Sequence, residues 1–293
     1  MSSPPTTSRL RSDKRGDRVR GRIFKAALWF SLAVGFVTLG ALLVSVFRRG
    51  IGRLDWTLLT EPPSFDPLIA GARPAILGTL WLMGLVFLFA VPIGIGTAIY
   101  LEEYANKKRW YNRLLELNIQ NLAAVPSIIY GILGLAFLVR GAGLDRVVLA
   151  GGMILTLLVL PTVIIAGREA LRAVPGSIRE GAFALGATRW QVVWRQVLPA
   201  AIPGIATGTI LALSRAIGET APLIMVGAIT YVAFNPSLLG PYTALPVQIY
   251  NWTNQPQDDF RVLAAAAIIV LLALLLSMNS LAIWVRNRYQ KRW

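Results

Sequence analysis

A lone arginine and a lone glutamate, four residues apart in an apolar stretch, have the most chemistry to offer in this chain. Between Arg195 and Asp258 only Arg215 and Glu219 carry charge. A charged side chain at bilayer depth costs at least about 2.5–3.5 kcal/mol. Their spacing puts both groups on one face of a helix. An exposed helical ion pair is worth only about 0.3–0.5 kcal/mol. That is too little to offset the cost, so the pair reads as part of an ion pathway rather than as a structural lock. A guanidinium stays charged and offers a planar fork of donors that fits an oxyanion bidentately. Glu219 can hold Arg215 while the site is empty and yield when an anion competes. A pathway must bind weakly enough to release. Ser214 and Thr220 flank the pair, either as further donors or as hydroxyls bonded back to their own helix.

The surrounding elements are apolar spans. The hydrophobic fraction is 55% and the mean hydropathy +0.60, above the range of soluble domains. Runs of roughly 20 apolar residues suit a membrane helix. Six fall near Ile23–Phe47, Pro74–Leu101, Asn118–Val139, Val147–Gly167, Ala201–Ile229 and Val262–Val285. The first is too long for a cleavable signal peptide and lacks a small-residue cleavage site after it. Arg215 then falls near the middle of the fifth span. Glycines and prolines recur within the spans, among them Gly94, Gly96, Pro126, Gly131, Gly134, Gly204, Gly208 and Gly218. Small residues let helices approach closely in a bundle. Thr97, Asn118, Gln120 and Asn121 read as interhelical hydrogen-bond formers rather than path-lining groups.

The net charge of +15 does not point to nucleic acid, because the basic residues flank the spans. Segments 1–25, 102–117, 168–200 and 286–293 hold 21 of the 29 Lys and Arg, against 7 in the alternate segments. By the positive-inside rule both termini are cytoplasmic. The chain has no cysteine and no histidine, so it offers no disulfide, no thiolate and no imidazole metal ligand. A Gly-x4-Gly-Lys-Ser/Thr loop is absent, which argues against nucleotide hydrolysis on this chain. The organisation expected is a disordered basic tail over 1–22, a first helix and outer loop over 23–73, a core over 74–285 and a basic tail over 286–293. The outer loop Tyr231–Phe260 carries Tyr242, Tyr250 and Trp252. They suit a plug, a docking surface or an interfacial aromatic belt.

The cytoplasmic loop 168–200 carries the second signal. It is far longer than the roughly 2–8 residues that a plain connection needs. Pro175 and Gly176 break the chain, and Ser177 with Glu180 fits a capping box. Ala182, Phe183 and Leu185 then make a short apolar stripe, ended at Gly186. A docking helix and a helix lying on lipid fit this composition equally well.

The same loop resembles the EAA loop of ABC importer permeases. That pattern runs Glu-Ala-Ala, three residues, Gly, nine residues, Ile, one residue, Leu-Pro. Here Glu180, Gly181, Ala182, Gly186, Leu198 and Pro199 stand at the same spacing, with departures at Gly181 and Gln196. Further stretches resemble the permease of the phosphate-specific importer: AIYLEEYA (98–105), NLAAVPSIIYGILGL (121–135), REALRAVPGSIREGAFALGAT (168–188), ALSRAIGETAPL (212–223) and LPVQIYNW (245–252). They run from the second span to near the sixth.

The resemblance implies an all-α integral membrane protein of six transmembrane helices, with the type I ABC importer permease fold, in the cytoplasmic membrane of a prokaryote. It implies inward phosphate transport and no catalytic residue, cofactor or metal on this chain. ATP and Mg would be bound by two cytoplasmic ATPase subunits, into whose groove the Glu180–Gly186 helix inserts. Leu198 and Pro199 would close that coupling loop. A second related permease, an extracytoplasmic phosphate-binding protein and membrane lipid would complete the partners, without nucleic acid. Arg215 is the residue that the resemblance ties to transport. The alternatives are an importer of another oxyanion, molybdate or sulfate, and an ion-driven secondary transporter. The latter calls for an internal inverted repeat and coupling-ion sites, neither of which the sequence displays.

Overall fold

The computed structural model describes residues 14–106, 108–228 and 232–289. Parts of both basic tails (1–13 and 290–293), Ile229 at the end of the fifth expected span and Tyr231 lie outside the described residues. Every regular element among those described is helical. The chain divides between Arg48 and Arg49 into two compact units. The first holds nearly all of helix α1 (Lys14–Gly50), whose apolar side chains from Ile23 to Phe47 are almost all exposed.

The second unit begins with a short helix, α2 (Trp56–Thr60), capped by Asp55, whose Oδ1 accepts from the Leu58 N–H at 2.8 Å. There follow α3 (Arg73–Ile99), α4 (Trp110–Ala123), α5 (Ser127–Gly134), α6 (Val148–Arg172), α7 (Gly176–Ala184), α8 (Arg189–Val192), α9 (Leu198–Ile217), α10 (Ala221–Val226), α11 (Leu245–Thr253) and α12 (Asp258–Tyr289). Helix α6 is central. It is buried along most of its length between α3 and α9. Its small residues make that possible. On α9, Gly204 and Gly208 lie against Ala170 and Ala166 of α6, so closely that a Cβ at either glycine would collide with the alanine methyl. Two small-x3-small rows thus face each other, and close van der Waals contact replaces the hydrophobic drive that lipid cannot supply. Gly94 of α3 meets Val163 of α6 in the same way, whereas Gly96 faces open space.

Among the described residues five helices are long and apolar enough to cross a membrane, and a sixth span is formed if α4 and α5 are taken together. That pair bends by 105°. Pro126 is the cause. A proline disfavours helical geometry in the residue before it, and Pro126 itself is extended at ψ 139°. The Tyr130 hydroxyl donates to the Leu122 carbonyl at 2.8 Å across the bend. The third span is therefore broken rather than continuous.

The fifth span also differs from its expected extent. It runs unbroken over Arg189–Ile217, through α8, a π-helical turn at Val193–Val197 and α9. Leu198 and Pro199 do not stop it. Proline clashes with the carbonyl four residues back, here Arg195, and the wider π turn spans that residue. The stop comes later, where Pro222 would clash with Gly218, and α9 ends at Ile217 with Gly218 as its cap. Helix α10 then starts afresh and ends at Gly227, whose φ is +98°.

Two of the outer-loop aromatics belong to the interior. Tyr242 and Trp252 are fully buried, the first in the main core and the second in the cluster of α11 with α12, whereas Phe234 and Tyr250 are exposed. Thr97 and Asn118 donate to Ile93 and Leu114 of their own helices rather than across to neighbours.

Replacing Gly208 with Val should lower stability by about 1–3 kcal/mol, as overpacking does, while Gly96→Ala should change it little. Thermal unfolding of the purified protein in detergent compares the two.

Candidate functional site

Arg215 and Glu219 do come together. Arg215 lies in the last turn of α9, not at the middle of a span, and Glu219 lies just past the helix end. The turn continues for one more bond, from the Glu219 N–H to the Ala216 carbonyl at 3.2 Å. This brings Glu219 Oε1 to 3.3 Å from Arg215 Nε. The Arg215 side chain is 46% exposed and that of Glu219 16%. A single long contact with a half-exposed arginine is weak. The break after α9 leaves backbone groups beside the pair. Non-helical backbone at membrane depth is tolerated where it is buried in protein or lines a wet cavity.

The flanking hydroxyls part company. Ser214 Oγ donates to Asn279 Oδ1 of α12 at 2.9 Å, whereas Thr220 Oγ1 reaches only its own Gly218 carbonyl at 3.4 Å. Asn279 was not evident from the sequence. Its one signal is that it is a lone amide in an aliphatic run. Helices α5 and α10 pack together beyond the break, and Gly131 lies against the Pro222 backbone so closely that no Cβ would fit.

A cavity of about 980 Å³ opens between α3, α9 and α12. Its walls include Phe87, Val91, Ile95, Trp190, Trp194 and Ile202, and Arg215 and Glu219 are not among them. The walls are mostly apolar, with Thr209 and Arg286 among their few polar groups, and the cavity is separate from the Arg215–Glu219 pair.

The second candidate is α7. It starts at Gly176 with Pro175 as its cap residue and no side-chain capping bond, so Ser177 stands inside the first turn and the expected capping box does not form. A capping box does form one element later, at Thr188 and Gln191. The helix ends at Gly186, which takes a φ of +79°, a conformation that favours glycine. Ile178 and the half-buried Ala182 pack inward, on a cluster of Ile99, Leu171, Val174, Val193 and Val197. Glu180, Gly181, Phe183 and Leu185 are exposed, Leu185 at 90%. Ile178, Ala182, Leu185 and Gly186 border a cavity of about 460 Å³ shared with Gln191 and Arg195. Leu198 is half-buried and Pro199 exposed, both on the far side of the π turn from α7.

Beneath α7 lies a cluster of charges that the sequence did not single out. Glu102 and Glu103 occupy a π-helical turn, Tyr100–Tyr104, that prolongs α3. Arg168 of α6 meets Glu116 of α4 at 2.6 Å and lies 3.6 Å from Glu102. Arg172 meets Glu102 at 3.1 Å and Glu169 at 3.2 Å. Arg179 of α7 meets Glu103 at 2.7 Å. The readable signal was two adjacent carboxylates at the end of an apolar run, followed by a basic segment.

Comparison with known proteins adds to this geometry. The sequence model of a family described as "binding-protein-dependent transport system inner membrane component" matches residues 90–291. The phosphate transport system permease protein PstA 1 of Mycobacterium tuberculosis (strain CDC 1551 / Oshkosh) is 30% identical over 273 residues, 92% of this chain and 89% of that protein. The probable ABC transporter permease protein YqgH of Bacillus subtilis (strain 168) is 33% identical over 229 residues, 74% of this chain and 73% of that one. Among solved structures, the MetNI methionine ABC transporter in inward facing conformations is similar in fold. The TM-score is 0.62 at 18% identity, covering 78% of this chain and all of the matched chain.

The charge cluster divides by burial. Arg168 is 9% exposed and Arg172 48%. Arg168→Met should cost about 1–3 kcal/mol, because it removes a buried guanidinium that bonds Glu116 and lies beside the buried Glu102. Arg172→Met should cost less than about 1 kcal/mol. Midpoints of thermal unfolding for the two variants check the order.

Proposed function

This chain belongs to the binding-protein-dependent transport system inner membrane component family, and on that footing we propose that it is the permease that carries inorganic phosphate in an ATP-driven importer. Members are multi-pass inner-membrane permeases that work with ATPases and a binding protein and are not themselves catalysts. Among the described residues the fold is all-helical and is that of ABC importer permeases.

The phosphate reading rests on the Arg215 guanidinium, alone in apolar surroundings at the break after α9 and only loosely held by Glu219. Similarity to phosphate permeases over most of the chain supports it. A guanidinium fork offers a phosphate two parallel charge-assisted bonds, and the long contact to Glu219 is easily exchanged for them. Ser214, tied to Asn279, fixes α9 to α12 one residue before the arginine. Thr220 sits on the other side of the pair and has only a long bond to its own backbone.

Transport also needs a place for the ATPase to push. The positive-inside rule sets α7 on the cytoplasmic side. Its exposed Glu180, Gly181 and Leu185, and the stop at Gly186, give it the form of a helix that seats in a groove of another protein. In this reading two cytoplasmic subunits bind ATP and Mg. A second related permease completes the membrane part, and a soluble phosphate-binding protein delivers the anion from outside. Leu198 and Pro199 join the coupling segment to α9, so the same continuous helix runs from the α7 region to Arg215.

Arg215→Ala should reduce phosphate uptake into proteoliposomes holding the reassembled complex by about 10-fold or more, the loss expected for charge-assisted bonds. Arg215→Lys, which keeps the charge and loses the fork, should fall between. Uptake at the wild-type rate in Arg215→Ala would sink the pathway role, and equal competition by sulfate or molybdate would move the cargo to another oxyanion. Glu180→Arg should weaken co-purification of the ATPase. Unchanged assembly together with unchanged uptake would remove α7 from the coupling.

A further inference from the structure

Helix α7 is attached to the rest of the protein by few groups. Its apolar underside consists of Ile178 and Ala182, both only partly buried. Arg179, between them in sequence, adds a polar attachment. One guanidinium Nη2 bonds Glu103 Oε1 at 2.7 Å and the Leu171 carbonyl at 2.9 Å, and Nη1 bonds the Val174 carbonyl at 2.7 Å. Leu171 belongs to the last turn of α6 and Val174 lies just beyond its end. Glu103 is buried in the turn that prolongs α3. One side chain therefore joins three elements: α7, the end of α6 and the end of α3.

The chemistry suits a rigid joint. The last carbonyls of a helix lack partners within it, and a cation at a helix C-terminus is favoured by the dipole. Arg179 supplies both needs while its charge is balanced by Glu103. The planar fork holds its bonds in fixed directions, which a single ammonium does not. Glu102, beside Glu103, is tied in turn to Arg168 and Arg172 of α6, and Arg168 to Glu116 of α4.

We propose that Arg179 is a positioning residue that makes α7 move as one body with the ends of α3 and α6, so that a push on α7 reaches the spans instead of bending the loop. This rests on the reading of α7 as the ATPase contact. Arg179 takes no part in that contact itself, since its guanidinium is turned inward onto Glu103.

The test is the number of phosphate ions moved per ATP hydrolysed by the purified complex in proteoliposomes. Arg179→Gln and Glu103→Gln should each lower this ratio by roughly 2- to 30-fold, the range in which residues between two sites alter their coupling. The amount of assembled complex should stay near wild type. Arg179→Lys should recover part of the ratio, and the double Gln variant should be no worse than either single one, as expected for partners in one contact. An unchanged ratio in Arg179→Gln overturns the proposal, and so does failure of all these variants to assemble, which makes the contact merely structural. The wild-type complex separates this from the cargo: if it moves no phosphate, phosphate is the wrong substrate. The stimulation of ATP hydrolysis by the binding protein then reads the joint by itself, with the same expected and overturning outcomes.

Discussion

The architecture follows from one constraint: an apolar chain in lipid must satisfy its own backbone hydrogen bonds. Helices do so throughout, and every departure from them has to be sheltered or repaired. Among the described residues, the breaks at Pro126 and after α9 have local repairs. The bend at Pro126 is spanned by Tyr130 to Leu122. The gap after α9 is narrowed by the bonds from Gly218 and Glu219 back to Arg215 and Ala216. Three π turns, at Tyr100–Tyr104, Leu135–Gly141 and Val193–Val197, change the helix phase without opening the ladder. The charged residues of interest stand beside these departures: Arg215 and Glu219 at the gap, Glu102 and Glu103 in the first π turn.

Packing obeys a second rule, that of small residues. Lipid is as apolar as leucine, so helices gain little by burying leucine against each other. The α6–α9 contact is made by Ala166, Ala170, Gly204 and Gly208 instead. Larger side chains gather where α6 also meets α3, around Leu155, Leu158 and Val159.

Much of this was legible from residue types. The apolar runs gave the helices, and the Gly186 stop and the pairing of Arg215 with Glu219 both appear in the structure. Three things were not legible, for definite reasons. The ends of the fifth span depend on a clash between Pro222 and Gly218 and on a π turn that absorbs Pro199. A hydropathy window averages over both. The outer aromatics suited a plug, a docking surface or an interfacial belt, but Tyr242 and Trp252 are buried in the bundle, a long-range event with no local mark. The ion pairs under α7 that join different elements link residues 52 to 76 positions apart, and spacing rules for helices reach only one turn.

Helix α9 has 20 residues, so at about 1.5 Å per residue it is some 30 Å long. With its foot beside α7 and its tip at Arg215, a tilt of only about 6° about the foot would carry the tip roughly 3 Å by the same helix dimensions. That displacement matches the 3.3 Å between Arg215 and Glu219. Helix length thus acts as a lever: the tilt that carries the tip by about 3 Å moves Gly208, half way along, by only about half as much.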